Sequence, residues 1–554
     1  MKRDLACLQR DSFDVLVIGG GISGAWIALD CALRGMRVAL IDKADFGGAT
    51  SAASSKLLHG GIRYLQQLNF AKVRQSALER ANYLVVAPHL SHFVPFLVPT
   101  YSNLRQGKLL LRSALAFYAM LCSGENRRVI DHAKRVPRAT TCSAAEVLER
   151  IPFRDKSMSG GVVFYESHME SAERMTLAVI SQAYRHGVIV ANYVEVTGLL
   201  EHNGRIHGVS CTDVDGGDAM EIRAALTVNA AGPWISGSGD RFSSAANRRL
   251  TTGFSQGSHL VTKQLIADYA IALPTEQQAE SLIDRGGRHI FIIPWRGHSL
   301  IGTSYAPLHG DIDHVHITDV EIDQLLGEVN KHLPELGVGR SDIVHAYSGV
   351  YPLRAQEIRA GVYQGTGDYQ LVDHSQLENR EGLLTAMGAK YTTARLLAEK
   401  TTDRVVRHLG VTAPPCATMC HPIAGGDIPD LAAFESRCRD TLRNLVAAKS
   451  VPRLIRAYGS DVDDIAARIQ AQPNLAEPVG PEREVLAVEL DYAVDVEMAL
   501  HLEDVLYRRT GIGTIGFPGH DYVRRCADLV AVKRGWSSAQ RDREIAMVTN
   551  AAWV

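Results

Sequence analysis

The run 15–18 is unbroken Val-Leu-Val-Ile, Gly19-Gly20-Gly21 follows at once, and a second apolar run ends at Val38-Ala39-Leu40-Ile41-Asp42. Short apolar runs bounded by glycine predict buried parallel strands, and the mixed stretch 25–34 between them predicts an amphipathic helix. Residues before about Asp11 read as a short arm. From 195 to 228 strand-like segments return, with Gly204, Gly208 and Gly216-Gly217 as turns, and end in 225–232, Ala-Leu-Thr-Val-Asn-Ala-Ala-Gly. Apolar and polar residues alternate over 253–261 and 288–305, which predicts an antiparallel sheet covering a site. Helix formers fill 392–406 after Gly388, Pro414, Pro415, Pro422 and Gly425-Gly426 mark a linker, and 431–553 is mostly helical in period.

The chain has 554 residues, 46% of them apolar, more than one core usually holds, so two or three domains are expected. Its 59 basic and 61 acidic side chains nearly cancel, which gives no electrostatic footprint for nucleic acid. Nine scattered cysteines without a secretory leader point to free thiols in a reducing cytoplasm. Cys416, Cys420 and His421 lack a second ligand pair and read as a loop, so no metal is expected. No apolar run reaches the roughly 18 residues a spanning helix needs. The nearest, 109–122, is either a buried helix or one lying in a membrane interface on the inner face of the plasma membrane.

Gly19, Gly21 and Gly24 stand in G-x-G-x-x-G spacing between strand and helix. The first permits a tight turn, the second a close approach of backbone to a pyrophosphate, and the third close packing of helix on strand. The helix N-terminus then faces the phosphates. Asp42 ends the second strand where a carboxylate accepts from an adenosine ribose. These features fit NAD and FAD alike. The small and hydroxylated stretch 47–64, ending in Lys56, His59, Arg63 and Tyr64, suits a long flat flavin wrapped by N–H and hydroxyl groups.

The block Ser54-Ser55-Lys56-Leu-Leu58-His59-Gly60-Gly61-Ile-Arg63-Tyr64, with Asn229-Ala230-Ala-Gly232-Pro-Trp234, Tyr347-Ser-Gly349 and Gly388-Ala-Lys390-Tyr391-Thr392, resembles the FAD-dependent glycerol-3-phosphate dehydrogenases. The resemblance continues into the helical C-terminus at 489–510. It implies an α/β fold: a Rossmann-type FAD-binding domain, an antiparallel-sheet substrate domain and a C-terminal helical domain. FAD binding is expected from 11–90, 166–250 and 351–410, a substrate-domain insertion with the membrane-facing candidate helix from 91–165, the substrate cap from 251–350, and the helical domain from 425–554. With the motif, the resemblance implies flavin contacts at Gly19, Gly21, Ile22, Ser23, Gly24, Asp42 and Lys43. It adds Thr50, Ser51, Ser54, Ser55, Lys56, Leu58, His59, Gly60 and Gly61, then Val196, Ala230, Gly232 and Trp234, and finally Gly388, Lys390, Tyr391 and Thr392.

Oxidising a secondary alcohol requires a base for the hydroxyl proton and a cation for alkoxide character. His59 is the candidate base, or else a hydrogen-bonding partner of flavin or backbone. Arg63 and Lys390 are candidates to hold a substrate oxygen, with flavin contact the competing role for Lys390, and Tyr64 is a candidate donor. The chain departs from the family pattern at two places. Tyr351 stands in Ser-Gly-x-Arg-Pro-Leu where that family has the arginine that grips phosphate, and Gly367 replaces a second arginine. Arg354 and Arg359 are the cations at hand to compensate. Without them a phosphate loses its bidentate forks, and a less charged or partly apolar hydroxyl- or amine-bearing substrate is favoured. A catalytically idle flavin-binding assembly subunit is the reading from another class, opposed by the presence of His59, Arg63, Tyr64 and Lys390. Quinone and dioxygen both remain as electron acceptors.

Overall fold

The computed structural model describes residues 1–66, 68–101, 108–155, 157–236, 250, 253–274, 289–308, 310–353, 368–388, 390–481 and 483–550; the side chains of 63, 66, 108–112, 236, 274 and 483 fall outside that description. Strand Ser12–Ile18 is the centre of the first sheet, with Val38–Ile41 and Ala219–Asn229 parallel to it on either side. Ile189–Ala191 and Leu383–Met387 extend the parallel core, and Gln370–Asp373 closes one edge antiparallel. A parallel sheet must be covered on both faces, which is why these strands carry so few polar residues. Helices Ile22–Leu33, Ala172–Arg185 and Ala394–Leu409 supply residues to the core on one face. The meander Val194–His202, Arg205–Asp213 and Ala219–Asn229 supplies the other.

Two local expectations change. Helix Ile22–Leu33 is buried from Gly24 through Cys31, not along one stripe, because helices 172–185 and 394–409 and the sheet enclose it. The N-terminal arm is instead a short helix, Leu5–Arg10, whose Cys7 N–H is capped by Asp4 and whose Leu8 is fully buried in the second core.

The second sheet is mostly antiparallel, as the alternating pattern predicts. Gly253–Lys263 lies between Ile343–Leu353 and His298–Gly302, which pairs in turn with His289–Trp295. In the insertion 91–165, strand Ser91–Tyr101 pairs with strand Met158–Met169, and the two join this sheet through Ala270–Pro274. Helix Lys108–Leu121 buries Leu115 and Tyr118 and exposes Phe117 and Met120, so its two faces have different surroundings.

The C-terminal region packs its helices around two further apolar clusters. It joins the domain of the first sheet through ions: Asp45 receives Arg508 and Arg509 from the wide-turned π-helical segment Asp504–Arg509. Burial alone would raise the Asp45 carboxyl, but the two guanidinium groups outweigh it and hold it below its usual range. Removing one partner of a buried pair leaves charge uncompensated. Arg509→Met is therefore expected to destabilise the protein by about 3 kcal/mol or more. Denaturant titration checks this, and an unchanged midpoint would contradict it.

Candidate functional site

A cavity of about 640 Å3 lies where the glycine turn, the 42–59 segment, the cap sheet and the C-terminal region meet. Its first wall is set by backbone. Gly19 has a φ of +101°, and a Cβ on Gly24 would lie 1.9 Å from the Gly19 carbonyl oxygen, so helix and strand approach in a way only glycine allows. Gly21 is the N-cap of helix 22–33 and offers no side chain to its first N–H groups. Ser51 Oγ accepts from Ile22 N at 3.0 Å and would meet a Gly21 Cβ at 3.1 Å. Asp42 accepts from Gly20 N at 2.6 Å and from Ala44 N at 2.9 Å, fastening the turn while it faces the cavity. Burial pushes its carboxyl up to about 6 against those two bonds. Lys43 stands 4.4 Å from the Trp234 ring, and both reach Asp313, at 2.6 and 2.8 Å. A glycine turn opening on a helix N-terminus, with a carboxylate at the strand end, fits the adenosine diphosphate half of a dinucleotide.

The cap strand 343–353 closes the opposite wall. Thr50 donates to Val350 O at 2.8 Å, Tyr347 donates to Ser54 O at 2.7 Å, and a Cβ on Gly349 would strike Ala53 O at 2.7 Å. These contacts bring Tyr351 into the cavity, its ring edge-on to Tyr305 at 5.9 Å.

Most of the residues singled out from sequence line this cavity: Gly19, Gly21, Ile22, Ser23, Asp42, Lys43, Thr50, Ser51, Ser54, Ser55 and His59 from the first segments, and Val196, Ala230, Gly232, Trp234, Tyr351, Gly388, Lys390, Tyr391 and Thr392 from the later ones. Gly24 acts behind the wall. Lys56 turns away: it is 1% exposed, its ammonium bonds Glu173 at 2.8 Å and Ala52 O at 3.0 Å, and it is a buried structural cation. Leu58 is in the core under the first sheet. Gly60 and Gly61 give room to Arg80, Tyr118 and Ser76, and Gly60 N donates to Glu166 at 2.7 Å. Tyr64 is buried behind the lining, yet Lys390 sits 4.0 Å from its ring and His59 stands 6.3 Å away, ring to ring. The Arg63 side chain and residues Arg354, Arg359 and Gly367 lie outside the described residues.

The cavity also holds residues that the sequence reading passed over. His259 is buried, lies 3.0 Å from Thr303 Oγ1 and stacks on Tyr347 at 5.1 Å. Burial, with the Lys56 charge behind it, holds its imidazole down at about 3. Gly257 and His259 are two apart in one strand and share its face, the one signal that could have found them. Glu503 and Arg508 enter from the C-terminal region.

The model of the FAD dependent oxidoreductase family matches residues 14–403, and that of the C-terminal domain of alpha-glycerophosphate oxidase matches 416–541. A glycerol-3-phosphate dehydrogenase of Synechocystis sp. is 31% identical over 98% of this chain and 97% of its own. The chain belongs to the FAD-dependent glycerol-3-phosphate dehydrogenase family. Glycerol-3-phosphate dehydrogenase 2 of Mycobacterium tuberculosis is 33% identical over 97% of this chain and 88% of its own length. The crystal structure of the Bacillus halodurans glycerol-3-phosphate dehydrogenase, complexed with FAD, superposes with a TM-score of 0.74 at 25% identity, covering 99% of this chain and 97% of that one.

The chain is thus an FAD-dependent oxidoreductase, and the glycine cradle has the form that suits a dinucleotide's phosphates. Filling that cradle should cost binding. Gly21→Val is expected to weaken FAD by at least about 1.4 kcal/mol, tenfold in affinity. The ratio of flavin to protein absorbance after purification measures it, and full flavin content in the variant would contradict the assignment.

Proposed function

We propose that this enzyme oxidises the secondary alcohol of a small polar, hydroxyl-bearing substrate, and that glycerol 3-phosphate, the compound in its relatives' names, is not the substrate it uses best. The observation that carries this is Tyr351. It lines the cavity beside Tyr305, with its backbone locked to the flavin-side segment, at the position where the family pattern has a phosphate-gripping arginine. A phenol neither carries charge nor offers a bidentate fork, so this end of the cavity suits an uncharged or partly apolar group.

FAD, when bound, supplies the two-electron acceptor. His59 accepts the hydroxyl proton and Lys390 stabilises the oxygen as negative charge develops on it. His259 is held neutral by burial, so it is not the group that takes the proton.

The acceptor we favour is a membrane quinone. Leu68, Phe70, Phe117 and Met120 are exposed apolar side chains from two neighbouring segments, and the Phe70 and Phe117 rings meet edge-on at 5.3 Å. Such a patch suits peripheral contact with a lipid surface. Among the described residues no helix is long and apolar enough to cross a membrane.

Restoring a cation at the altered position should recover phosphate use. Tyr351→Arg is expected to raise kcat/KM for glycerol 3-phosphate about tenfold or more, since one hydrogen bond to a charged group contributes about 1.5–3 kcal/mol. Steady-state kinetics decide it; no gain, with full flavin content, would show that another residue already holds the phosphate.

His59→Asn is expected to retain FAD and slow anaerobic flavin reduction by about 100-fold. In the wild type the rate should fall as pH drops and the imidazole takes up a proton, and the variant should lose that dependence. Stopped-flow reduction across pH tests both. A near-normal rate with the same profile would move the base role to Lys390 or solvent.

A further inference from the structure

We propose that a second cavity, walled by Pro88, His89, Ser91, His92, Lys134 and the first helices of the C-terminal region, binds a small phosphate-like anion. It measures about 460 Å3 and shares no lining residue with the flavin cavity. Its floor is Lys134, the last residue of a short helical turn, His132–Lys134. Asp131 caps that turn by accepting from Ala133 N at 2.8 Å, and its other oxygen accepts from Leu431 N at 3.0 Å, at the start of helix Leu431–Leu442. The turn is thereby tied to the C-terminal region, and Lys134 is delivered beneath it.

Lys134 is only 6% exposed, yet it makes one hydrogen bond, to Ser91 O at 2.5 Å, and no carboxylate among the described residues lies within 4.0 Å of its ammonium. An ammonium has three N–H donors, and a buried one with a single neutral partner lacks a counter-charge. The other charges around the cavity do not provide it. Arg439 takes Glu435 at 2.9 Å, Arg456 takes Glu170 at 3.7 Å, and Asp131 spends both oxygens on backbone N–H groups, so among the described residues the carboxylates that oppose the Lys134 charge do so from beyond 4.0 Å. His89 adds a ring 6% exposed whose Nδ1 has no hydrogen-bond partner among the described residues, and His92 lines the same space. An oxyanion with several acceptor atoms would answer the ammonium, the histidine and the half-engaged Arg456 together.

The ammonium carries a signature of this state. Burial pulls Lys134 down to about 8, against the opposing charges of Asp131 and Glu435. A bound anion adds a further opposing charge and raises it again, so anion binding just above that value must take up protons.

The test is calorimetric titration of the FAD-loaded protein with inorganic phosphate at pH 8.5, in buffers of different ionisation heat. The wild type is expected to bind phosphate saturably with proton uptake and without change in the flavin spectrum. Lys134→Met is expected to weaken binding about tenfold or more. Lys134→Arg, charged at every accessible pH, should keep the binding and lose the proton uptake. Absence of saturable binding, binding indifferent to both substitutions, or binding that shifts the flavin spectrum would overturn the proposal. The arginine variant keeps the test decisive should the methionine variant fold poorly.

Discussion

The close contact between Gly24 and the Gly19 carbonyl is the constraint from which the rest of the site is built. It presses helix 22–33 onto the central strand and aims the helix N-terminus into the cavity. Asp42 then fastens the turn from the neighbouring strand through Gly20 N. The same helix is enclosed by helices 172–185 and 394–409, so an error of one Cβ there would propagate through a packed core.

Around that fixed point polar contacts, beside shared apolar clusters, bring three distant parts of the chain together. Thr50 and Tyr347 lock the cap strand to the flavin-side segment, Asp313 crosses from the cap to Lys43 and Trp234, and Asp45 anchors Arg508 and Arg509. The arrangement explains why Tyr351 matters: its backbone position is dictated by these bonds, so a change of side chain there changes the cavity wall and little else. It also places Arg508, a residue of the C-terminal region, in the lining of the cavity.

Sequence revealed what local chain geometry determines. The turn at Gly19–Gly24 and its Asp42 partner are legible because strand, turn and helix lie within one short segment, and His59 and Lys390 because they stand in dense motif blocks. Side-chain direction was not legible in the same block: Lys56 lies three residues from His59 yet turns into the core to meet Glu173, a partner over a hundred residues away. His259 was hidden because a strand that alternates apolar and polar residues reads as sheet, whichever of its polar side chains faces a cavity. The buried character of helix 22–33 and the helical fold of the first ten residues depend on neighbours that no local pattern shows. Arg508 and Arg509 were read as family-like residues of the final domain, and their reach to Asp45 required the tertiary fold.

The central claim is that a family fold with its FAD machinery in place serves a substrate without the family's phosphate grip. The most direct measurement is anaerobic bleaching of the flavin spectrum in the wild-type enzyme, with glycerol 3-phosphate set against a panel of small secondary alcohols and amines that lack a phosphate. The account predicts that at least one uncharged or partly apolar member bleaches the flavin faster, and at lower concentration, than glycerol 3-phosphate does. Rapid bleaching by glycerol 3-phosphate, saturating at micromolar concentration and faster than any other member, would contradict it.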